Sequence, residues 1–193
     1  MNDVGVTASR IAGNPRGSGY RRAKLDWYVE PVSATLALLD VEQFDGEIYD
    51  PACGCGNILK ACRERGHRAL GTDIVDRGSG EPYGLDFIYG QLPCPVSNII
   101  SNPPFGPSLH FAKRALRIAT RKVALIQRLC WLEGQKRSAF LESAPLARVW
   151  VFKKRICMPP GEKRDLPAKG GFIAYAWFVF EHDYTGKPEL GWI

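Results

Sequence analysis

Residues 99–106, Ile-Ile-Ser-Asn-Pro-Pro-Phe-Gly, constrain the fold more than any other stretch of the chain. Two β-branched apolar residues read as a buried strand. Pro103 and Pro104 end it at once, because proline gives no amide hydrogen to a ladder and fixes its own φ. Pro104 also keeps Pro103 out of the helical region. Asn102, the Pro103 carbonyl and Phe105 are therefore held stiffly at the carboxyl end of a strand, where open α/β sheets place their ligands. Asn102 offers one acceptor and two donors, the Pro103 carbonyl a second acceptor, and Phe105 a flat apolar face. The set suits a planar ring carrying an exocyclic amine. Taken alone, the octet also reads as an ordinary Asn-Pro turn.

Upstream lies a second strand-to-turn junction. Glu47, Ile48, Tyr49 and Asp50 read as a short strand that opens into Pro51-Ala52-Cys53-Gly54-Cys55-Gly56-Asn57, followed by a helix over 58–65. Gly54 and Gly56 let the backbone approach a ligand closely and turn amide groups toward it. A dinucleotide fingerprint requires a third glycine at position 59, where Leu59 stands, and this weakens a dehydrogenase reading. The next strand, 68–74, ends at Asp73 and Ile74. A carboxylate there is placed to accept hydrogen bonds from ribose hydroxyls, with a solvated turn aspartate as the alternative. Asp86 and Phe87 follow in a turn-rich piece, suited to an exocyclic amine and an aromatic base.

Elsewhere the chain alternates between the two periods. Pro31 suits the first turn of a helix whose Val32, Leu36 and Leu39 share a face. Ser108 is expected to cap a helix running to Ala119. A strand at 123–126, a helix at 133–142, a strand at 148–152 and a last, almost wholly apolar strand at 172–180 complete the series. Strands alternating with helices predict an α/β, doubly wound, mostly parallel sheet, and a terminal strand pair joined by a loop predicts an antiparallel last strand.

Residues 1–24 read as a flexible basic arm and 25–193 as one folded domain. The formal charge of +6 favours a polyanionic partner. Arg155, Lys163 and Arg164, beyond the strand at 148–152, are the candidate phosphate contacts, each with a plain surface charge as its alternative. No apolar stretch is long enough to span a membrane, and Met1-Asn2-Asp3 does not begin a signal sequence, so a cytoplasmic protein is expected. Of the six cysteines, Cys53 and Cys55 are one residue apart where a zinc knuckle needs two or more. They are expected to be reduced, mostly buried side chains, with no metal site.

Together, 50–56 (Asp-Pro-Ala-Cys-Gly-Cys-Gly) and 102–105 (Asn-Pro-Pro-Phe) resemble the S-adenosylmethionine-dependent amino-methyltransferases, above all the N6-adenine DNA methyltransferases. The resemblance runs from Trp27 to the end and implies a Rossmann-like methyltransferase fold. It implies that Trp27, Tyr28, Glu30 and Pro31 pack beside the methionine end of the cofactor. Asp50, Pro51, Ala52, Cys53, Gly54 and Gly56 would form the glycine motif, Asp73 and Ile74 would meet the ribose, and Asp86 and Phe87 the cofactor's adenine. Asn102, Pro103, Pro104 and Phe105 would be catalytic. The implied activity is methyl transfer to adenine N6 in DNA by a small, phage-like enzyme acting as a monomer or weak dimer in a bacterial or phage-infected cell. An Asn-Pro-Pro motif also occurs in enzymes that methylate RNA adenine, RNA guanine or a protein amide, and a non-catalytic methyltransferase-like partner is a further alternative. A separate target-recognition domain is not expected, so sequence preference falls to loops at 10–26, 76–97 and 157–171.

Overall fold

The structure, a computed structural model, describes residues 23–91, 94–165 and 171–193. The basic arm, apart from its last residues, and the middle of the 157–171 loop lie outside the described residues. Among the described residues, seven strands form one sheet in the order β2-β1-β3-β4-β6-β5-β7. In chain order these are β1 (Ile48–Asp50), β2 (Ala69–Gly71), β3 (Val96–Ser101), β4 (Ala119–Arg128), β5 (Leu146–Val151), β6 (Tyr175–Glu181) and β7 (Glu189–Trp192). Four α-helices among the described residues accompany them: α1 (Val32–Leu39), α2 (Asn57–Glu64), α3 (Ser108–Ile118) and α4 (Gln135–Ser143).

β1, β2, β3 and β4 pair in parallel, and β6 runs antiparallel between β4 and β5. The expected antiparallel strand is therefore present, but it is not the last. β7 follows it and adds in parallel to the outer edge of β5. Its four residues are exposed or half-buried, so the run carries no apolar signal from which a strand could be read.

The core lies on both faces of the sheet. Ile100 and Trp177 point to the face that carries α1 and α2, whereas Ile99, Ala176 and Phe178 meet Phe111 and Trp131 on the other. Burial on both sides explains why β6 reads as a nearly continuous apolar run and why Ile99 and Ile100 of β3 are both apolar. On α1 the buried positions are Ala34, Thr35 and Leu38, not the expected Val32, Leu36 and Leu39. The small Ala34 lets the Trp177 indole reach its carbonyl at 2.9 Å, which selects that face.

Ser108 is not the cap of α3. It lies inside the first turn, donates its hydroxyl to the Phe105 carbonyl at 3.0 Å and accepts from the Trp131 indole at 3.0 Å. It thereby ties the Asn-Pro-Pro-Phe tetrapeptide to the core. The glycine missing at 59 is replaced from the sheet side. A Cβ on Gly71 would lie 2.6 Å from Leu59 Cδ1 and 2.9 Å from Cys53 Cβ, so close helix–strand packing is achieved with the small residue on β2. Cys53 and Cys62 are buried, with thiols pushed up to about 12 chiefly by burial, while Cys94 and Cys130 are exposed; the cysteines are thus only partly interior.

Candidate active site

β1, β2 and β3 end side by side and build the site at their carboxyl ends. Asp50 closes β1. Fully buried, its Oδ1 accepts from Ser101 Oγ of β3 at 2.7 Å and from the Ala52 amide at 3.1 Å, so one carboxylate sets where the glycine loop leaves the sheet. Burial holds the Asp50 carboxyl well above the usual carboxylate range, reinforced by Glu30 and Asp73 and opposed by the Ser101 bond.

The loop itself folds back through Gly56, which has φ 86° and precedes α2, a backbone conformation that disfavours side chains. The Gly54 amide donates to Asp73 Oδ2 at 2.9 Å. Asp73 Oδ1 accepts from the Val75 amide at 3.1 Å and from Arg77 Nε at 3.3 Å. The acid past β2 therefore braces the glycine loop while facing the cavity beside it.

That cavity has a volume of about 500 Å³. Of the residues expected to bind a cofactor, Trp27, Pro51, Ala52, Asp73, Ile74, Asp86 and Phe87 line it, and so do Asn102 and Pro104 from the tetrapeptide. Asp86 Oδ1 caps its own turn, accepting from the amides of Ile88 at 2.9 Å and Tyr89 at 3.1 Å. Phe87 is buried, 4.5 Å from Phe111 between ring centroids. Tyr28, Glu30, Pro31, Asp50, Cys53, Gly54, Gly56 and Pro103 do not line it; of these Glu30, Asp50, Cys53, Gly54 and Pro103 are buried.

Asn102 is the most completely specified group. Its Nδ2 donates to the Tyr28 carbonyl at 2.7 Å and to Glu30 Oε2 at 2.8 Å. An amide nitrogen has two hydrogens, and both are used, so Oδ1 is left as the acceptor on the cavity side. Glu30 is buried, and burial pushes its carboxyl up to about 7 despite bonds from its own backbone and from Asn102. The Glu30 carbonyl accepts from Asn57 Nδ2 at 2.7 Å, which fastens this segment to the start of α2.

Phe105 stands apart from the cavity. Its ring carries the Arg128 guanidinium 4.7 Å from the centroid and packs with Tyr28 at 5.6 Å and Tyr175 at 6.0 Å. Arg164 reaches the cavity wall, with its guanidinium 5.7 Å from the Trp27 ring centroid, and Lys163 is exposed in the same short turn. Arg155, exposed, donates to the Phe172 carbonyl at 3.1 Å.

Several residues escaped the sequence reading. Arg77, almost buried, pairs with Asp73 and stacks on Trp27 at 4.4 Å. Asp26 Oδ2 accepts from the Gly106 amide at 2.8 Å and so joins the entry segment to the tetrapeptide. Trp27 is held from the loop after β5, where Tyr28 bridges Pro160 and the Gly161 amide donates to the Trp27 carbonyl at 3.0 Å. The spacing of Arg77 four residues after Asp73 was the one available signal; the other contacts join distant parts of the chain.

The comparisons with solved structures fall on this architecture. The chain aligns with a modification subunit of a provisionally assigned type I restriction enzyme from Vibrio vulnificus at TM-score 0.56 and 14% identity, over 83% of this chain and 45% of that one. It aligns with magnesium protoporphyrin IX methyltransferase from Synechocystis PCC 6803, solved with bound S-adenosylmethionine, at TM-score 0.54 and 13% identity, covering 78% and 77%. The chain shares its fold with methyltransferases. A provisionally assigned RNA methyltransferase from Pyrococcus horikoshii matches similarly, at TM-score 0.54 and 15% identity over 78% of this chain and 80% of that one. The chain spans less than half the length of the restriction-enzyme subunit. No family model and no curated protein sequence matches it. Among the described residues, no helix is long and apolar enough to cross a membrane.

Proposed function

We propose that the protein transfers a methyl group from S-adenosylmethionine to the exocyclic N6 amine of adenine in DNA. The observation that carries the reading is the fixed amide of Asn102: both of its hydrogens are spent on Tyr28 and Glu30, so only an acceptor faces the cavity. An acceptor suits an amine substrate, whose hydrogens it can take.

The residues present fit the cofactor. The cavity is lined by an apolar face including Phe87 and Ile74, a carboxylate at Asp73, and Pro51 and Ala52 at the start of the glycine turn, which suit a base, a ribose and the tail beyond it. S-adenosylmethionine bound there supplies an electrophilic methyl group on a sulfonium. The chain's own part is positional. Asn102 Oδ1 and the Pro103 carbonyl each accept one hydrogen of the amine, turn its lone pair toward the incoming methyl and stabilise the positive charge that develops on nitrogen. Asp73 is assigned to the ribose hydroxyls, Asp86 and Phe87 to the cofactor's adenine, and Trp27 to the methionine side. Phe105 is assigned to stack on the target base, which requires Arg128 to share or leave the face of the ring. A base buried in a duplex has to be flipped out to reach this site. Lys163 and Arg164, at the Trp27 wall, and Arg155 are assigned to backbone phosphate, consistent with the charge of +6.

Asn102→Ala tests the assignment. It should abolish methyl transfer and leave cofactor affinity within a few-fold of the unaltered protein, because the side chain acts on the amine. Full transfer by this variant would remove the proposal.

A further inference from the structure

We propose that Glu30 is the positioning residue for Asn102: its carboxylate fixes the amide so that Oδ1, and not Nδ2, faces the substrate amine. The inference rests on the amine-methylation reading of the site. It also assigns to Glu30 a task other than contact with the cofactor.

The geometry excludes the opposite orientation. The side of Asn102 that turns away from the cavity meets the Tyr28 carbonyl at 2.7 Å and Glu30 Oε2 at 2.8 Å. A carbonyl has no hydrogen, and an ionised carboxylate has none either. Rotating the amide by half a turn would set Oδ1 against two acceptors and turn two donors toward an amine that must itself donate. Glu30 has no route of its own to the cavity, since it is buried behind the wall and absent from the lining. Its carbonyl accepts from Asn57 Nδ2 at 2.7 Å, and the Val29 amide donates to the Pro159 carbonyl at 2.9 Å, so the backbone that carries the side chain is held on two sides.

The charge adds a second effect. An ionised Glu30 draws positive character onto the Asn102 nitrogen and negative character onto Oδ1, the atom that takes the amine hydrogen. Protonation weakens this pull and gives Glu30 a hydrogen of its own. Among the described residues, Asp50 at the end of β1 and Cys55 in the glycine loop are coupled to the Glu30 charge, and Arg164 acts on Cys55. A carboxyl and a thiol are neutral or negative, so neither supplies a positive charge that would hold Glu30 ionised at low pH.

The test needs a readout that does not depend on activity. The Asn102 side-chain amide resonances, identified by their loss in Asn102→Ala, should move with pH about a midpoint near 7 in the unaltered protein and stay flat in Glu30→Gln. Glu30→Gln keeps an acceptor and removes the charge, so transfer at pH 8.5 should drop about tenfold through kcat. The acid limb of the pH profile should vanish, with cofactor Kd within threefold. A flat amide trace in the unaltered protein, or a cofactor affinity that collapses while kcat holds, would overturn the proposal. If the unaltered protein methylates nothing, the reading of the reaction fails, and the amide titration still decides whether Glu30 orients Asn102.

Discussion

Exchanging Asn102 for aspartate keeps the shape of the side chain and reverses its hydrogen-bonding character, although aspartate is frequent at this position among the enzymes the tetrapeptide resembles. Here the exchange places a second carboxylate where Glu30 Oε2 lies 2.8 Å from the present nitrogen. Two bonds are lost: a neutral one to the Tyr28 carbonyl, contributing about 0.5–1.5 kcal/mol, and one to a charged acceptor, contributing about 1.5–3 kcal/mol. Repulsion between the carboxylates is partly relieved when the pair retains a proton. Asn102→Asp should therefore lose roughly 3–5 kcal/mol at pH 8.5. For a chain of this size that lowers Tm by roughly 6–20 °C. The sign with pH is fixed by the raised carboxyl of Glu30, about 7 against an ordinary 4.5. A second buried acid raises the folded-state affinity for a proton further, so the loss is small at pH 5.5 and grows as pH rises through 7. Urea unfolding at both pH values measures it, with Asn102→Ala as the control that removes the same bonds and adds no charge. An Asn102→Asp variant within 1 kcal/mol of the unaltered protein at pH 8.5, or equal to Asn102→Ala at both values, would refute the reasoning.

Three further outcomes are expected. Because the folded-state value of Glu30 is raised, its contribution to stability is full below pH 4.5 and is lost as pH rises through about 7; Glu30→Gln should thus be more stable than the unaltered protein at pH 8.5 by up to about 3 kcal/mol, with the gap closing toward pH 5 in urea titrations. Asp73→Ala removes the acceptor of the Gly54 amide and the assigned ribose contact, and calorimetry should show S-adenosylmethionine bound roughly ten- to a hundredfold more weakly. Unchanged affinity would displace Asp73 from the ribose. A Cβ at position 161 would lie 2.1 Å from the Trp27 ring, so Gly161→Ala should cost about 1–3 kcal/mol and shift the emission of Trp27, with weaker cofactor binding in the same titration.

What the sequence disclosed followed from short-range chemistry. β6 declared itself as an apolar run and β3 by Ile99 and Ile100, the prolines fixed the end of β3, and Gly54 and Gly56 announced a turn that the structure places beside Asp73. The β7 edge strand was illegible because its residues pack against little. The face of α1 was missed because one tryptophan on β6 selects it across 143 residues of sequence. The role of Glu30 was hidden for the same reason: it meets Asn102 across 72 positions, and only the closed sheet brings them together. Arg77 and Arg128 were unreadable as stacking partners of Trp27 and Phe105, since an arginine near a strand end has no local mark that separates it from a surface charge.

The central claim is methyl transfer to an amine held by Asn102. Labelled S-adenosylmethionine, offered in parallel with unmethylated DNA, total RNA and protein and followed by analysis of the modified nucleosides and residues, tests it most directly. The account predicts label in DNA recovered as N6-methyladenine, lost in Asn102→Ala. Label confined to RNA or protein would contradict the substrate, and cofactor binding without transfer to any of the three would contradict the reaction.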